Sequence, residues 1–142
     1  MPEISFHSGN GVIGKRGGTG EGKALVFNKE RYAHALWMHP STRGGTSRIV
    51  YNLDGNFKKF SAEVGICEPT AYRIGKSMEG SLTFQVFGDG KLIAELRNQK
   101  VRSSKIPITA DVSGVKTLTL RAAVGWKQTR AYAAWLNPMV TR

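Results

Sequence analysis

Histidine is the side chain best suited to proton transfer and metal binding near neutral pH, and this sequence contains three, at His7, His34 and His39. His34 and His39 fall in a segment that reads as a strand, and their odd spacing would place them on opposite faces of a sheet. The single cysteine, Cys67, cannot build a zinc site alone or form a disulfide within the chain. We expect it to be a small buried side chain beside Ile66. These residues therefore favour neither a zinc centre nor histidine catalysis, and they identify no metal ligands.

Two carboxylates are the next candidates for chemistry, since glycosidases use a pair of them. Glu63 and Glu95 both fall in apparent strands, at positions that alternate with apolar residues and so point outward. A catalytic acid pair instead needs one member with a strongly perturbed pKa, held in a cleft. We therefore predict no catalytic residues and a protein that is not an enzyme.

The glycine-rich beginning of the chain contains two sequences that imitate phosphate-binding loops. Residues 9–14 satisfy GxGxxG, but the dinucleotide motif requires a strand before it and a helix after it, and the glycines from Gly17 onward disfavour that helix. Residues 17–23 imitate a P-loop, yet Ala24 stands where the magnesium-binding hydroxyl belongs. We interpret residues 1–23 as a leading segment and residues 24–142 as the folded domain.

Trp126 is the residue best suited to ligand binding. It lies in the polar turn Gly-Trp-Lys-Gln-Thr-Arg between two apparent strands, where an indole ring has no obvious core to join. A flat apolar ring of this kind can stack against a sugar ring, and neighbouring polar groups can then bind its hydroxyls. If the loops gather at one end of the fold, the polar and charged residues that we expect around Trp126 are His39, Arg43, Arg73, Lys127 and Arg130.

The other two tryptophans have different surroundings. Trp135 lies among Ala133, Ala134 and Leu136, so we predict that it belongs to the core. Trp37 is intermediate, because apolar residues flank it on both sides.

Charge is the most unusual bulk property of the chain. The 21 Lys and Arg residues against 10 Asp and Glu residues give a net charge of +11. The segment 97–105 holds four basic residues and no acid, and no acid follows Asp111. Such an excess favours polyanionic partners, which include nucleic acids, anionic lipid surfaces and acidic or sulfated polysaccharides. A solvated basic face without a partner explains the same composition.

Short alternating segments separated by turns dominate the chain from residue 24 onward. The organising pair is Ser47–Leu53 and Lys58–Ile66, joined around Asp54-Gly55, a sequence typical of a hairpin turn. Residues 88–90 supply a second such turn. The remaining candidate strands are 24–27, 33–38, 81–87, 91–96, 106–112, 116–124 and 132–140. Because no segment shows a sustained helical stripe, the pattern predicts one all-β domain, an antiparallel β-sandwich of jelly-roll type.

With 142 residues, the chain is long enough to bury a core without disulfides. It contains no apolar run of about 18 residues that would suggest a membrane span. Its first residues lack the basic and then apolar pattern of a signal peptide.

Several short motifs now stand in a recognisable order. In sequence they are Trp37-Met38-His39-Pro40, Ile49–Leu53, Phe60–Ile66, Phe84–Lys91, Asp111–Val115 with Leu118–Leu120, and Ala134-Trp135. Their order and spacing resemble the NPCBM family, the novel putative carbohydrate-binding modules attached to glycoside hydrolases and other secreted proteins. The resemblance extends from about residue 25 to the C-terminus.

The resemblance implies a β-sandwich that binds glycans without catalysis, as an extracellular part of a larger protein. It also implies galactose-type sugars, which some relatives bind, and a structural calcium ion, which some relatives carry. Calcium accepts oxygen ligands, so Asp54 and Asp89 are the acids that we would assign to such a site.

The chain departs from the family pattern just before Ala134-Trp135. Relatives commonly carry acids and histidine there, whereas this chain has Lys127 and Arg130. The departure favours an anionic glycan, sulfated or uronic.

Two alternatives remain from other classes. One is a nucleic-acid-binding domain, which the charge favours but for which no reading helix or aromatic row is recognisable, and the other is an interaction domain without its own ligand.

Overall fold

The computed structural model describes residues 3–7, 12–14, 26–27, 30–31, 35–39, 46–67, 77–101, 105–124 and 132–142. All regular structure in these ranges is β-strand. The strands, numbered in chain order, are β1 Glu3–His7, β2 Val12–Gly14, β3 Val26–Phe27, β4 Glu30–Arg31, β5 Ala35–His39, β6 Thr46–Asn52, β7 Lys59–Cys67, β8 Ser77–Gly88, β9 Lys91–Val101, β10 Ile106–Asp111, β11 Thr117–Val124 and β12 Tyr132–Thr141.

The strands form two antiparallel sheets. The first sheet has the order β1-β6-β11-β8-β9, and the second has the order β10-β7-β12-β5-β2. Among the described residues, strands β3 and β4 pair only with each other. The edge strands of the described sheets are therefore β1 and β9 in the first sheet and β10 and β2 in the second. This architecture confirms the predicted antiparallel β-sandwich.

One face of each central strand supplies the core, as the period-two pattern predicts. In β6 the residues Ile49 and Tyr51 are buried, and Leu53 follows them directly; in β7 the inward residues are Phe60, Ala62, Val64 and Ile66. Buried residues from both sheets belong to one hydrophobic cluster.

Trp135 lies at the centre of this cluster and is fully buried. Its ring meets Phe84 of the opposite sheet edge to face, with 5.5 Å between the ring centroids, and lies 6.4 Å from Phe60. The prediction that Trp135 is a core residue is confirmed. The side chain of Trp37 lies outside the part of the molecule that the structure describes.

The predicted hairpin between Ser47 and Ile66 is wrong in its pairing. Strands β6 and β7 lie in different sheets, so the connection between them crosses from one layer to the other. The turn itself forms: Asp54 and Gly55 both have positive φ, and Asn56 N–H donates to the Leu53 carbonyl at 3.1 Å. The following residues then take the chain from the first sheet to the second, where Lys58 N–H donates to the carbonyl of Thr141.

The second predicted turn does join paired strands. Strands β8 and β9 form an antiparallel hairpin in which Gly88 is opposite Lys91. Asp89 and Gly90 occupy the turn with φ of 50° and 81°, the left-handed values that a two-residue hairpin turn requires. Strand β9 continues to Val101, beyond the predicted end at residue 96.

The glycine-rich beginning contributes strands that the sequence patterns did not predict. Strand β1 pairs with β6, and β2 pairs with β5. The last three residues of the GxGxxG sequence form β2, so they lie in a sheet and do not start a helix. The P-loop-like residues 17–23 are outside the described residues.

In the described ranges, no helix is long and apolar enough to cross a membrane.

Candidate functional site

Three connections leave the sandwich at the same end. The registers show this directly, because Thr46 at the start of β6 lies opposite Ala123 near the end of β11, and Tyr132 at the start of β12 lies opposite Cys67 at the end of β7. Strand β5 ends beside them, since Met38 lies opposite Ala133. The connections 40–45, 68–76 and 125–131 therefore all begin and end here. We call this the loop end.

The strands that carry these connections share a tightly buried base. Met38, Leu82 and Ala133 have no exposed surface, and Ile66 is 1% exposed. They come from four strands and both sheets. A base of this kind holds the strand ends in fixed relative positions, so the sequence of the loops can serve binding instead of stability.

Five of the six predicted binding residues lie in these three connections, and the sixth lies at the end of a strand. His39 is the last residue of β5, where its backbone lies opposite Val12 of β2. Its side chain is not described. The other five predicted residues lie outside the described ranges: Arg43, Arg73, Trp126, Lys127 and Arg130. The structure thus brings together the strand ends that flank these residues, and direct contacts among their side chains stay a prediction.

The loop end is also strongly basic in sequence. Strands β9 and β10 meet there too, because Val101 lies opposite Ser77 and Ile106 lies opposite Val64. Together with 102–105, the connections at this end contain seven basic residues and one acid, Glu68. The basic residues are Arg43, Arg73, Lys76, Arg102, Lys105, Lys127 and Arg130.

The connections at the opposite end, which we call the turn end, carry balanced charge, and Arg142 at the C-terminus adds one positive charge there. The connections 53–58, 89–90 and 112–116 contain two acids, Asp54 and Asp89, and two lysines, Lys58 and Lys116. The excess positive charge of these connections is therefore concentrated at the loop end, where it would attract an anionic ligand.

The acids that resemble a catalytic pair are separated by the whole sandwich. Glu63 lies on the outward face of β7 in the second sheet, whereas Glu95 lies on the outward face of β9 in the first sheet. Two carboxylates on opposite outer faces cannot act on one bond.

Glu95 belongs instead to a polar network on the outer face of the first sheet. Gln85 Nε2 donates to Glu95 Oε2 at 2.6 Å, and Arg121 Nε donates to Gln85 Oε1 at 2.7 Å. Arg97 donates from Nε to the other Glu95 oxygen. The hydrogen bond from Gln85 is the largest cause that lowers the pKa of Glu95. Arg97 and the charge of Arg121 lower it further, whereas burial acts in the opposite direction.

Sequence reasoning missed this network. Alternation places each of its members outward, but only the strand register brings Gln85, Glu95 and Arg121 side by side, and that register joins segments far apart in the chain.

The two acids expected to bind calcium have other surroundings. Asp89 accepts hydrogen bonds from the backbone N–H groups of Lys116 and Thr117, so its carboxylate already serves the fold. Asp54 is exposed at its own turn. Within the described ranges, no three His, Cys, Asp or Glu residues group together in a way that could hold a metal ion. A calcium site that uses these acids together with loop carbonyls stays a prediction, which melting temperatures in EDTA and in calcium would test.

Solved structures with the same fold come from Clostridium perfringens. The structure of the CBM51-2 and INT domains of ZmpB matches with a TM-score of 0.72 and 24% identity over 99% of this chain, and the same domains with GlcNAc match equally well. This chain spans 30% of the length of those two structures. The CBM51 of GH95 with methyl-galactose matches with a TM-score of 0.70 and 20% identity, over 99% of this chain and 95% of its own.

No curated protein matches the sequence significantly. The model of the NPCBM/NEW2 domain, however, matches residues 1–141, which is nearly the whole chain and includes the glycine-rich beginning. The chain therefore belongs to the NPCBM/NEW2 family of carbohydrate-binding modules.

Proposed function

We propose that this domain binds a glycan without catalysis, through the connections of the loop end. The observation that carries the proposal is the convergence of 40–45, 68–76 and 125–131 at one end of a sandwich that belongs to a carbohydrate-binding family. Loops on a rigid β-scaffold are where binding residues concentrate.

Trp126 is the proposed stacking platform. Its indole would cover one face of a pyranose ring, while hydroxyl and anionic groups of the sugar would contact His39, Arg43, Arg73, Lys127 and Arg130. Aromatic residues of this kind commonly dominate the free energy of binding, and the surrounding polar contacts add less individually. Stacking is insensitive to salt, whereas contacts by exposed charges weaken with ionic strength.

The charge of the loop end favours an anionic glycan, sulfated or uronic. Related solved structures hold GlcNAc in the CBM51-2 of ZmpB and methyl-galactose in the CBM51 of GH95, both uncharged. At 24% and 20% identity these structures support the fold alone, so they do not fix the sugar. A galactose-type unit that carries sulfate or a carboxylate would combine the stacking surface with the basic loops.

Isothermal titration with matched sulfated and desulfated oligosaccharides tests this proposal. Trp126→Ala should lose about 2 kcal/mol of binding free energy at every salt concentration. Lys127→Gln and Arg130→Gln should each lose about 0.2–1 kcal/mol at low salt and less as salt rises. Lys58→Gln, an equal charge change at the turn end, is the matched control.

Two outcomes would contradict the proposal. Equal affinity for the sulfated and desulfated sugars at low salt would remove the anionic preference. Unchanged affinity in Trp126→Ala would show that the site is not at the loop end.

Nucleic acid is the second candidate ligand, because of the net charge of +11. Nucleic-acid binding would rest on phosphate contacts and would weaken steeply with salt regardless of sequence. A gel shift with DNA and RNA beside a glycan array separates the two classes.

The domain is also proposed to be part of a larger extracellular protein. The chain spans only 30% of the ZmpB structures, in which a similar fold accompanies other domains. Localisation of the native protein, by fractionating the culture of its source, tests this.

A further inference from the structure

Two arginines face each other on the outer face of the first sheet. Arg48 of β6 lies directly opposite Arg121 of β11 in the antiparallel register. Arg48 is exposed and Arg121 is half-buried, in strands whose inward residues belong to the core. Directly opposite residues in a sheet have Cβ atoms only about 4.5–5.5 Å apart, so the two side chains start from neighbouring positions.

Arg121 is held in one orientation by two neighbours on β8, so its guanidinium lies on the side of β11 away from β6. Its Nε donates to Gln85 Oε1 at 2.7 Å, and its guanidinium carbon lies 5.1 Å from the centroid of the Phe87 ring. Gln85 is fixed in turn by Glu95. Among the residues that the structure describes, the two terminal nitrogens of Arg121 donate no hydrogen bond. They form the planar fork that binds carboxylate and sulfate groups through two parallel bonds.

No described acid forms an ion pair with either arginine, although the charge of Glu95 attracts Arg121 across Gln85. Arg48 makes no hydrogen bond or ion pair with any described side chain, and Glu95, two strands away from β11, is already bound by Gln85 and Arg97. An anion bound on this face would meet the preoriented fork of Arg121 and the exposed charge of Arg48 together.

The pair also lies close to the loop end. Arg48 is two positions after Thr46, where the connection 40–45 enters β6, and Arg121 is three positions before Val124, where 125–131 leaves β11. At about 3.3 Å per strand residue, the pair lies roughly 7–10 Å from the loop end. One extended ligand can therefore reach both places.

We propose that Arg48 and Arg121 form a second anion-binding subsite, which takes a sulfate ester or uronic carboxylate further along the same glycan chain. The inference rests on the proposed function, since it extends the loop-end site onto the outer face of the first sheet. It predicts that the domain binds the interior of an anionic polysaccharide better than a single terminal sugar.

The test compares a short and a long oligosaccharide cut from one sulfated galactan, with oligogalacturonate as the carboxylate counterpart. Arg48→Gln and Arg121→Gln should each weaken binding of the long chain about two- to fivefold at low salt and leave the short chain unaffected. Arg48→Lys, which keeps the charge but loses the fork, should fall between wild type and Arg48→Gln. Lys59→Gln, on the second sheet, controls for net charge.

The melting temperature separates binding from folding. Arg48→Gln changes an exposed side chain, so we expect a melting temperature close to that of the wild type. If Arg121→Gln is less stable because it loses Phe87, Arg48→Gln still decides the question. Loss of affinity together with unchanged or increased stability supports a binding role.

Several results would overturn the subsite: equal affinity of Arg48→Gln and wild type for both long chains, equal losses in Lys59→Gln, or tighter binding of duplex DNA than of either polysaccharide. Trp126→Ala keeps the two proposals distinct, because it should weaken short and long chains alike. If Trp126→Ala has no effect while Arg48→Gln does, the loop-end site fails and the subsite stands.

Discussion

The carboxylate of Asp89 accepts a hydrogen bond of 2.9 Å from the backbone N–H of Thr117, 28 residues later in the chain. The same oxygen accepts from Lys116 N–H at 3.1 Å, and Asp89 N–H donates back to the Thr117 carbonyl at 2.8 Å. A turn residue thus ties the β8–β9 hairpin to the start of β11.

We therefore expect Asp89→Ala to lower the free energy of unfolding by about 2 kcal/mol or more, since it leaves two backbone donors without their charged acceptor. Asp54→Ala is the matched control, because Asp54 has nearly the same φ, 53° against 50°, but its carboxylate makes no such bonds. Urea unfolding of both variants gives the difference that belongs to the hydrogen bonds. Equal losses would assign the whole effect to backbone strain.

The network around Glu95 predicts a pH dependence. Its pKa is lowered from the ordinary value of 4.5, so its ionised form stabilises the native state above that pH, and this contribution is lost as pH falls through the lower folded pKa. Urea midpoints measured from neutral pH downward should therefore decline less steeply in Glu95→Gln than in the wild type.

The pKa of Asp111 is lowered as well, by hydrogen bonds from Ser113. In Asp111→Asn the urea midpoint should therefore also decline less steeply as the pH falls. The double variant with Glu95→Gln should show a smaller decline than either single variant. Parallel curves for the wild type and Glu95→Gln would show that ionisation of Glu95 does not contribute to the stability of the native state.

Trp135 offers a test of the core. Its Nε1 is buried and has no hydrogen-bond partner among the described residues. Trp135→Ala should cost about 3–5 kcal/mol, because it opens a large cavity between Phe60 and Phe84. Trp135→Phe should cost clearly less, since it retains a ring and removes the unpaired N–H. Denaturation followed by circular dichroism gives both values, and an equal cost would indicate that the N–H finds a partner in solution.

Gly88 predicts a tight contact at the turn end. A Cβ at this position would lie 2.9 Å from Val115 Cγ2 and 3.1 Å from Ile93 Cδ1. Gly88→Ala should therefore cost about 1–3 kcal/mol through overpacking. Adding Val115→Ala should recover part of that loss, because it removes the closest methyl group. If the double variant instead loses the sum of the stability losses of the two single variants, as measured from melting curves, the contact is contradicted.

The two Asp-Gly turns show what the sequence can and cannot predict. Both Asp54-Gly55 and Asp89-Gly90 adopt the positive φ values that their types favour, so the local reversals were predictable. Only the second joins paired strands. At the first turn, the N–H groups of Leu53 and Gly55 donate to the carbonyls of Lys116 and Val115, residues that local turn chemistry does not specify. The sheet that the following strand joins therefore depends on contacts with residues distant in the sequence.

The same distinction applies to the candidate site. Alternation was sufficient to predict that Trp135 is buried and that Glu63 and Glu95 point outward. It could not reveal the Arg48 and Arg121 pair, because their meeting depends on the register of β6 against β11. The role of Trp126 stays a prediction drawn from its loop sequence.

The edges of the two sheets bear on how the domain behaves when many copies crowd along one polymer. Edge strand β10 contains Pro107, which has no N–H to offer an incoming strand, and edge strand β2 is only three residues long. Edge strand β9 has register shifts along its pairing with β8, and β1 has one against β6. Short length, proline and irregular pairing are features that disfavour strand addition, so these edges oppose pairing between neighbouring molecules even at high local concentration.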